Sequence, residues 1–473
     1  VTVLSDRTAR MSARQRLILL LLLGSQFMLA VDFSILNVAL PVIGSGLGFE
    51  LADLQWVATT FALAAAGFTL LFGRIADLFG RRRLFLAGMA LLGLSSLAGG
   101  LATSPTMLLV ARVAQGLATA IVTPAGLSLL TTSFPEGPLR ARALGLNGAL
   151  MSAGFTSGAI LGGLLTELLS WRWAFFVNVP VALAVLAAAP LVLTESRPAQ
   201  RPKMDLPGAV TVTGGLLALV FGLTRAGEHG FADPVALGAL AAGAVLLVAF
   251  WFVERRAASP LVPVTILARP SVKWGNLAGL VAFATETSLV FLLTLYLQKV
   301  LGYSALATGL SFGVLGIGTV LGGVIAPRVL ARTGTGRAMT VAFAVQAAAT
   351  ASLALLGAGS GWIWLLLVAT FVGGVGNMVA IVAFMITATS GLPDSEQGLA
   401  TGLATMTQQV GITLGIPIMS AVVTAAMGTV LQGVIVAVLV NAALTLTGVL
   451  IRARPRDDHR PIGPGDGAGT TPR

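Results

Sequence analysis

Cysteine is absent from the 473 residues, which excludes disulfides, thiolate nucleophiles and cysteine metal sites. Histidine occurs only as His229 and His459, too sparse for a histidine-based metal cluster, so neither a metal nor another cofactor is expected. Lysine is confined to Lys203, Lys273 and Lys299, and none of them follows a glycine. A nucleotide-binding P-loop needs Gly-Lys-Ser/Thr, so the chain is not its own ATPase. Any work it does must draw on a gradient or on a separate subunit. Charge of either sign is scarce: 10% of the residues are charged, against about 25% in soluble chains.

What is present instead is apolar. Hydrophobic residues make up 56% of the chain and the mean hydropathy is +0.93. A soluble fold of this length has no way to hide so much apolar surface, so the bilayer is its solvent. The net charge of +11 would suggest nucleic acid if it were gathered on one face. It lies instead in short breaks between apolar runs, where membrane proteins anchor cytoplasmic loops; lipid, not nucleic acid, is the expected surrounding.

The runs predict fourteen transmembrane helices. The first six are 17–41, 54–74, 84–103, 106–131, 141–165 and 173–193, and an extra pair follows at 208–223 and 234–253. The last six are 274–300, 305–329, 338–356, 362–390, 399–427 and 430–451, with only Gly428 and Thr429 marking the final turn. Val1 fits a GTG start codon and Met11 is an alternative start. Arg7, Arg10, Arg14 and Arg16 ahead of the first run give it the look of a signal peptide. The run is too long for a signal-peptide core and contains Asp32, so a retained first helix is expected. With both termini cytoplasmic, nearly all arginines fall on inside loops, and outside loops receive only Arg172, Arg225 and Lys299.

This six-plus-two-plus-six layout predicts an N-terminal six-helix bundle at 1–194 and a C-terminal one at 273–452. A linker with the two extra helices is expected at 195–272, and a disordered cytoplasmic tail rich in Pro, Gly, Asp and Arg at 453–473.

Three ionisable residues fall well inside spans: Asp32, Arg112 and Glu286. Each costs about 2.5–3.5 kcal/mol at a helix centre, so each needs a partner or a water-filled cavity. At about 1.5 Å per residue, Asp32 lies about 22 Å and Glu286 about 19 Å from the inner ends of their spans. Arg112 enters from outside and also lies about 20 Å from the inner face of a core about 30 Å thick. One layer therefore holds all three. Burial favours the neutral form of a carboxyl and a nearby arginine favours the charged one, so such a group can load and release a proton. The alternative is a permanent buried ion pair, with Arg112, which does not deprotonate, in a structural role.

Gly154, Gly158, Gly162 and Gly163 stack bare backbone on one face of the fifth span, as generic helix packing also would. Between spans two and three, Gly73-Arg-Ile-Ala-Asp77-Leu-Phe-Gly80-Arg81 stands in a short loop. A basic anchor explains the arginines but not Asp77, Gly73 or Gly80.

These stretches resemble the major facilitator superfamily, specifically its fourteen-span drug:proton antiporter branch. The Asp77 loop is similar to the family signature Gly-x-Leu-Ala-Asp-Arg-x-Gly-Arg-Arg, with Ile75 and Leu78 replacing Leu and Arg. Arg112-Val-Ala-Gln115-Gly116 resembles its second motif, and the glycine series its antiporter motif, with Ala159 where proline is expected. Asp32-Phe-Ser-Ile-Leu-Asn37 in the first span and Trp171 to Pro180 before the sixth are further matches, while the second half offers only a degraded loop copy at 323–334. The resemblance implies two bundles rocking about a central cavity, with Asp32, Arg112 and Glu286 in proton coupling. It assigns Gly73, Asp77, Gly80 and Arg81 to a gating loop. Phe33, Phe283, Met378 and Phe384 are candidates for an apolar pocket, and Asn37, Gln115, Asn377 and Gln408 for polar contacts; core packing is the alternative for each.

The function so implied is export of hydrophobic or cationic drugs or antibiotics in exchange for protons, by a monomer in the bacterial inner membrane. Proton-coupled export or uptake of an ordinary metabolite is the other transport reading. A membrane enzyme lacks reactive side chains here, and a receptor lacks an output domain.

Overall fold

In hydrocarbon no water is available to backbone N–H and C=O groups, so a chain this apolar satisfies them within each segment as helix. The computed structural model describes residues 11–49, 54, 56–134, 138–195, 205–258, 260–262, 264–390, 394–426 and 428–451. The tail expected at 453–473 and much of the linker after 195 lie outside the described residues, as do the side chains of Asn37 and Asp77.

All described secondary structure is helical. In chain order the helices are α1 (Ala13–Leu47), α2 (Trp56–Phe79), α3 (Arg81–Gly100), α4 (Pro105–Ser133), α5 (Pro138–Leu168), the short α6 (Trp173–Phe176) and α7 (Asn178–Val192). Then come α8 (Leu206–His229), α9 (Pro234–Arg256), the short α10 (Val264–Leu267) and α11 (Pro270–Leu295). The last five are α12 (Ala305–Thr333), α13 (Thr335–Ser352), α14 (Ile363–Thr389), α15 (Asp394–Ala425) and α16 (Val430–Leu450). Among the described residues, thirteen helical segments are long and apolar enough to cross a membrane. Beside them, α5 is a 31-residue helix packed between α1 and α12.

Two expected boundaries move. The first helix does not stop at Pro41 but runs through it to Leu47, since a helix inside a bundle can lose one N–H without breaking. Nor is there a loop at 73–83: α2 continues to Phe79, α3 begins at Arg81, and Gly80 alone makes the turn. Gly80 adopts φ 111°, a conformation that side chains resist. The weakly marked final turn is real. Gly428 has positive φ, and Thr429 caps α16 through the Gln432 N–H at 3.3 Å while Gln432 bonds back.

The same contact pattern occurs twice. In the first half α1 packs on α5, α2 on α4, and α3 on α4 and α7. In the second α11 packs on α15, α12 on α14, and α13 on α14 and α16. The two sets meet along α5–α12 and α2–α15. The extra helix α8 lies against both α2 and α15, and α9 packs on α8.

Candidate functional site

Between the two sets of helices lies a cavity of about 580 Å³, within the range of about 300–1,000 Å³ common for small-molecule sites. Phe33, Phe61, Phe155, Phe283, Met151 and Met385 give it apolar walls. Gln26, Asn147, Gln408, Gln409 and several threonines supply neutral hydrogen-bonding groups, and Glu286 is the one ionisable side chain among the described lining residues. The lining reaches Thr389, the last residue of α14, and Leu127 near the end of α4. The cavity therefore lies toward the ends that carry the basic junctions. At the opposite ends the halves are joined: Gln298 Nε2 donates to the Val38 carbonyl at 3.2 Å and the Leu306 N–H to Glu167 Oε2 at 3.0 Å.

Asp32 and Arg112 meet, but not in this cavity. Asp32 is 0% and Arg112 1% exposed, and neither lines it. Arg112 Nη1 stands 3.4 Å from Asp32 Oδ2, longer than the about 2.7–2.9 Å of a tight charge-assisted bond. Neutral groups hold both partners more closely. Asp32 Oδ1 accepts from Gln115 Nε2 at 3.0 Å and from Asn178 Nδ2. Arg112 donates to Gln115 Oε1 at 2.8 Å and, through Nε, to the Val57 carbonyl at 2.9 Å. Ser96 Oγ accepts from Gln115 and Asn178 and closes the network. The guanidinium lies 4.2 Å from the centre of the Phe61 ring, and Phe61 also lines the cavity. Phe61 is thus the partition between a sealed ion pair and an open pocket.

Glu286 has the other environment. It faces the cavity, and no described cation pairs with it. Asn377, itself buried, stands beside its carboxyl. One residue away, Thr285 points into the second half: its hydroxyl accepts from Gln346 Nε2 at 3.2 Å, and its carbonyl accepts from Asn441 Nδ2 at 3.0 Å. Asn441 also donates to Ser288 Oγ at 2.9 Å.

Of the other expected residues, Phe33, Phe283 and Gln408 line the cavity. Gln115 belongs to the sealed network, while Asn377, Met378 and Phe384 are buried outside the cavity lining; Phe384 meets Phe283 edge-on at 6.2 Å. Three of the α5 glycines rest on α1: added Cβ atoms would run into the carbonyls of Phe27, Val31 and Ile35 at Gly154, Gly158 and Gly162. Gly163 instead faces the backbone of Ala305 on α12. Gly73 sits on Pro124, and Gly80 is covered by the Glu195 carboxylate, whose Oε1 accepts the Arg82 N–H at 3.1 Å. The charge pattern gave no sign of Ser96, Phe61 or Asn178; of these, only Asn178 stands in a recognised stretch, Trp171 to Pro180.

The Major Facilitator Superfamily model matches residues 22–416. The chain is 40% identical to the cephamycin export protein CmcT of Amycolatopsis lactamdurans over 85% of this chain and 83% of that protein. It is 38% identical to the puromycin resistance protein pur8 of Streptomyces alboniger, over 86% and 82%. The crystal structure of the human organic anion transporter MFSD10 superposes with a TM-score of 0.62 at 15% identity, over 93% of this chain and all of that one, a likeness of fold. The chain belongs to the Major Facilitator Superfamily: it is a multi-pass membrane transport protein and not an enzyme.

Proposed function

We propose that this transporter exports amphiphilic, antibiotic-like small molecules across the bacterial inner membrane in exchange for protons, by alternating access. The observation that carries the reading is the central cavity, drug-sized and largely apolar, with a single carboxyl in its described wall. The names of its relatives, a cephamycin exporter and a puromycin resistance protein, support the substrate class. Helix α5 is the fourteenth span and both termini are cytoplasmic, which puts the cavity's basic end inside and makes this the inward-facing state. Residues 1–194 and 273–452 are the two moving bundles, 195–272 the inserted linker and hairpin, and 453–473 a cytoplasmic tail.

In this state Glu286 is the group a substrate's donor or cationic end meets, and a proton and the substrate compete for it. Asp32 and Arg112 are the second coupling element, shut behind Phe61 until the bundles rock, with Arg112 a fixed cation that biases Asp32. The α2–α3 junction with Gly73, Asp77, Gly80 and Arg81 gates the cytoplasmic side, and the α5 glycines hold the outer side closed. One proton is enough. A 100 mV potential supplies about 2.3 kcal/mol and one pH unit about 1.4, together about a 500-fold gradient for a neutral solute.

The test is uptake into inverted vesicles, where export becomes accumulation. An acid interior should drive accumulation of puromycin or a related amphiphile, and Glu286→Gln should abolish it. Accumulation that ignores the pH gradient, or that is seen only with a polar metabolite, overturns the reading.

A further inference from the structure

On the outer surface of the first half, α1 and α5 enclose a second cavity of about 390 Å³, lined chiefly by Arg16, Leu20, Leu23, Gly24, Phe27 and Leu150. Its upper end is set by the glycine contact: Gly154 lets α5 rest on the Phe27 carbonyl. One turn below, Leu150 becomes a wall of the groove. Gly24 forms its floor, and a Cβ there would meet nothing within 4 Å. Leu20, on its rim, is 69% exposed. The groove therefore opens outward, away from the central cavity.

Two measures say what fills it. From Arg16 to Phe27 is about 16 Å of helix, close to half of the about 30 Å hydrocarbon core, so the groove is one leaflet deep. At its mouth Arg16 is exposed, with no side-chain hydrogen bond or ion pair among the described residues. Its neighbour Arg14 is occupied, donating to the Val192 carbonyl at 2.9 Å. An exposed cation at headgroup height above an apolar slot one acyl chain deep is complementary to one ligand class.

We infer that the α1–α5 groove is a binding site for an anionic phospholipid of the leaflet at the basic face. One acyl chain lies along Leu20, Leu23 and Gly24 up to Phe27, and the phosphate pairs with Arg16. The site is separate from the transport cavity and independent of the transport cycle proposed above.

Native mass spectrometry of the full chain in detergent, titrated with phosphatidylglycerol or with phosphatidylcholine of the same chains, reads this directly and does not depend on orientation. Wild type should retain phosphatidylglycerol about fivefold better. Arg16→Gln should erase that preference while still holding lipid. Gly24→Leu, which fills open space, should bind one lipid fewer of either kind, with an unchanged melting temperature showing that it folds. A preference that survives Arg16→Gln, or an unaltered lipid count in a folded Gly24→Leu protein, overturns the site.

Discussion

In the first half of the molecule α1, α3, α4 and α7 meet around Asp32, Ser96, Arg112, Gln115 and Asn178. In the second, α11, α13 and α16, which hold equivalent places in the packing pattern, meet around Thr285, Ser288, Gln346 and Asn441. The scaffold is the same and the chemistry is opposite. The first half seals an ion pair in a buried network; the second seals only amides and hydroxyls and turns its carboxyl, Glu286, into the cavity. A buried charge left without its partner is costly, so the first network should lose more than the second when a member is removed.

The contrast can be broken most easily at Arg112. Arg112→Ala leaves Asp32 buried without its cation and should destabilise the protein by about 3–5 kcal/mol, seen as a large fall in melting temperature. Asn441→Ala removes a tie of the neutral network in the second half and should cost about 1–3 kcal/mol. Equal losses for the two variants would mean that the charge is not what distinguishes the halves. The α1–α5 contact sharpens the picture within the first half. Gly162→Ala pushes a Cβ into the Ile35 carbonyl and should cost about 1–3 kcal/mol, whereas Gly24→Ala, facing open space, should be neutral in the same denaturation assay. Glu286→Gln should also change stability little, by no more than about 1 kcal/mol, because no partner charge is left behind. That variant should nonetheless lose gradient-driven transport in the vesicle assay.

Much of this was legible in the residues, and the gaps have physical reasons. Asp32 and Arg112 stood out because charge inside an apolar run must be compensated, and they do meet. Depth along a helix says nothing about azimuth, however. In α1 and α11 the apolar residues run all the way round, so no stripe told that Asp32 faces α3, α4 and α7 while Glu286 faces the cavity. Phe61 was invisible for the same reason: one phenylalanine among many apolar residues becomes a partition only when Arg112 lies across it. The junction at Gly80 was misread as a loop because its charges look like one, while a single glycine at positive φ suffices to reverse the chain. The all-helical architecture was easy to see, since each apolar run must satisfy its own backbone.

The division between a sealed and an open carboxyl can be tested by labelling with a membrane-permeant carbodiimide, which reacts with protonated carboxyls that it can reach. Peptide mapping of treated vesicles should find Glu286 modified and Asp32 not, with Glu286 protected when a transported compound is present. Modification of Asp32 as fast as Glu286, or labelling of Glu286 that no transported compound slows, would contradict the account.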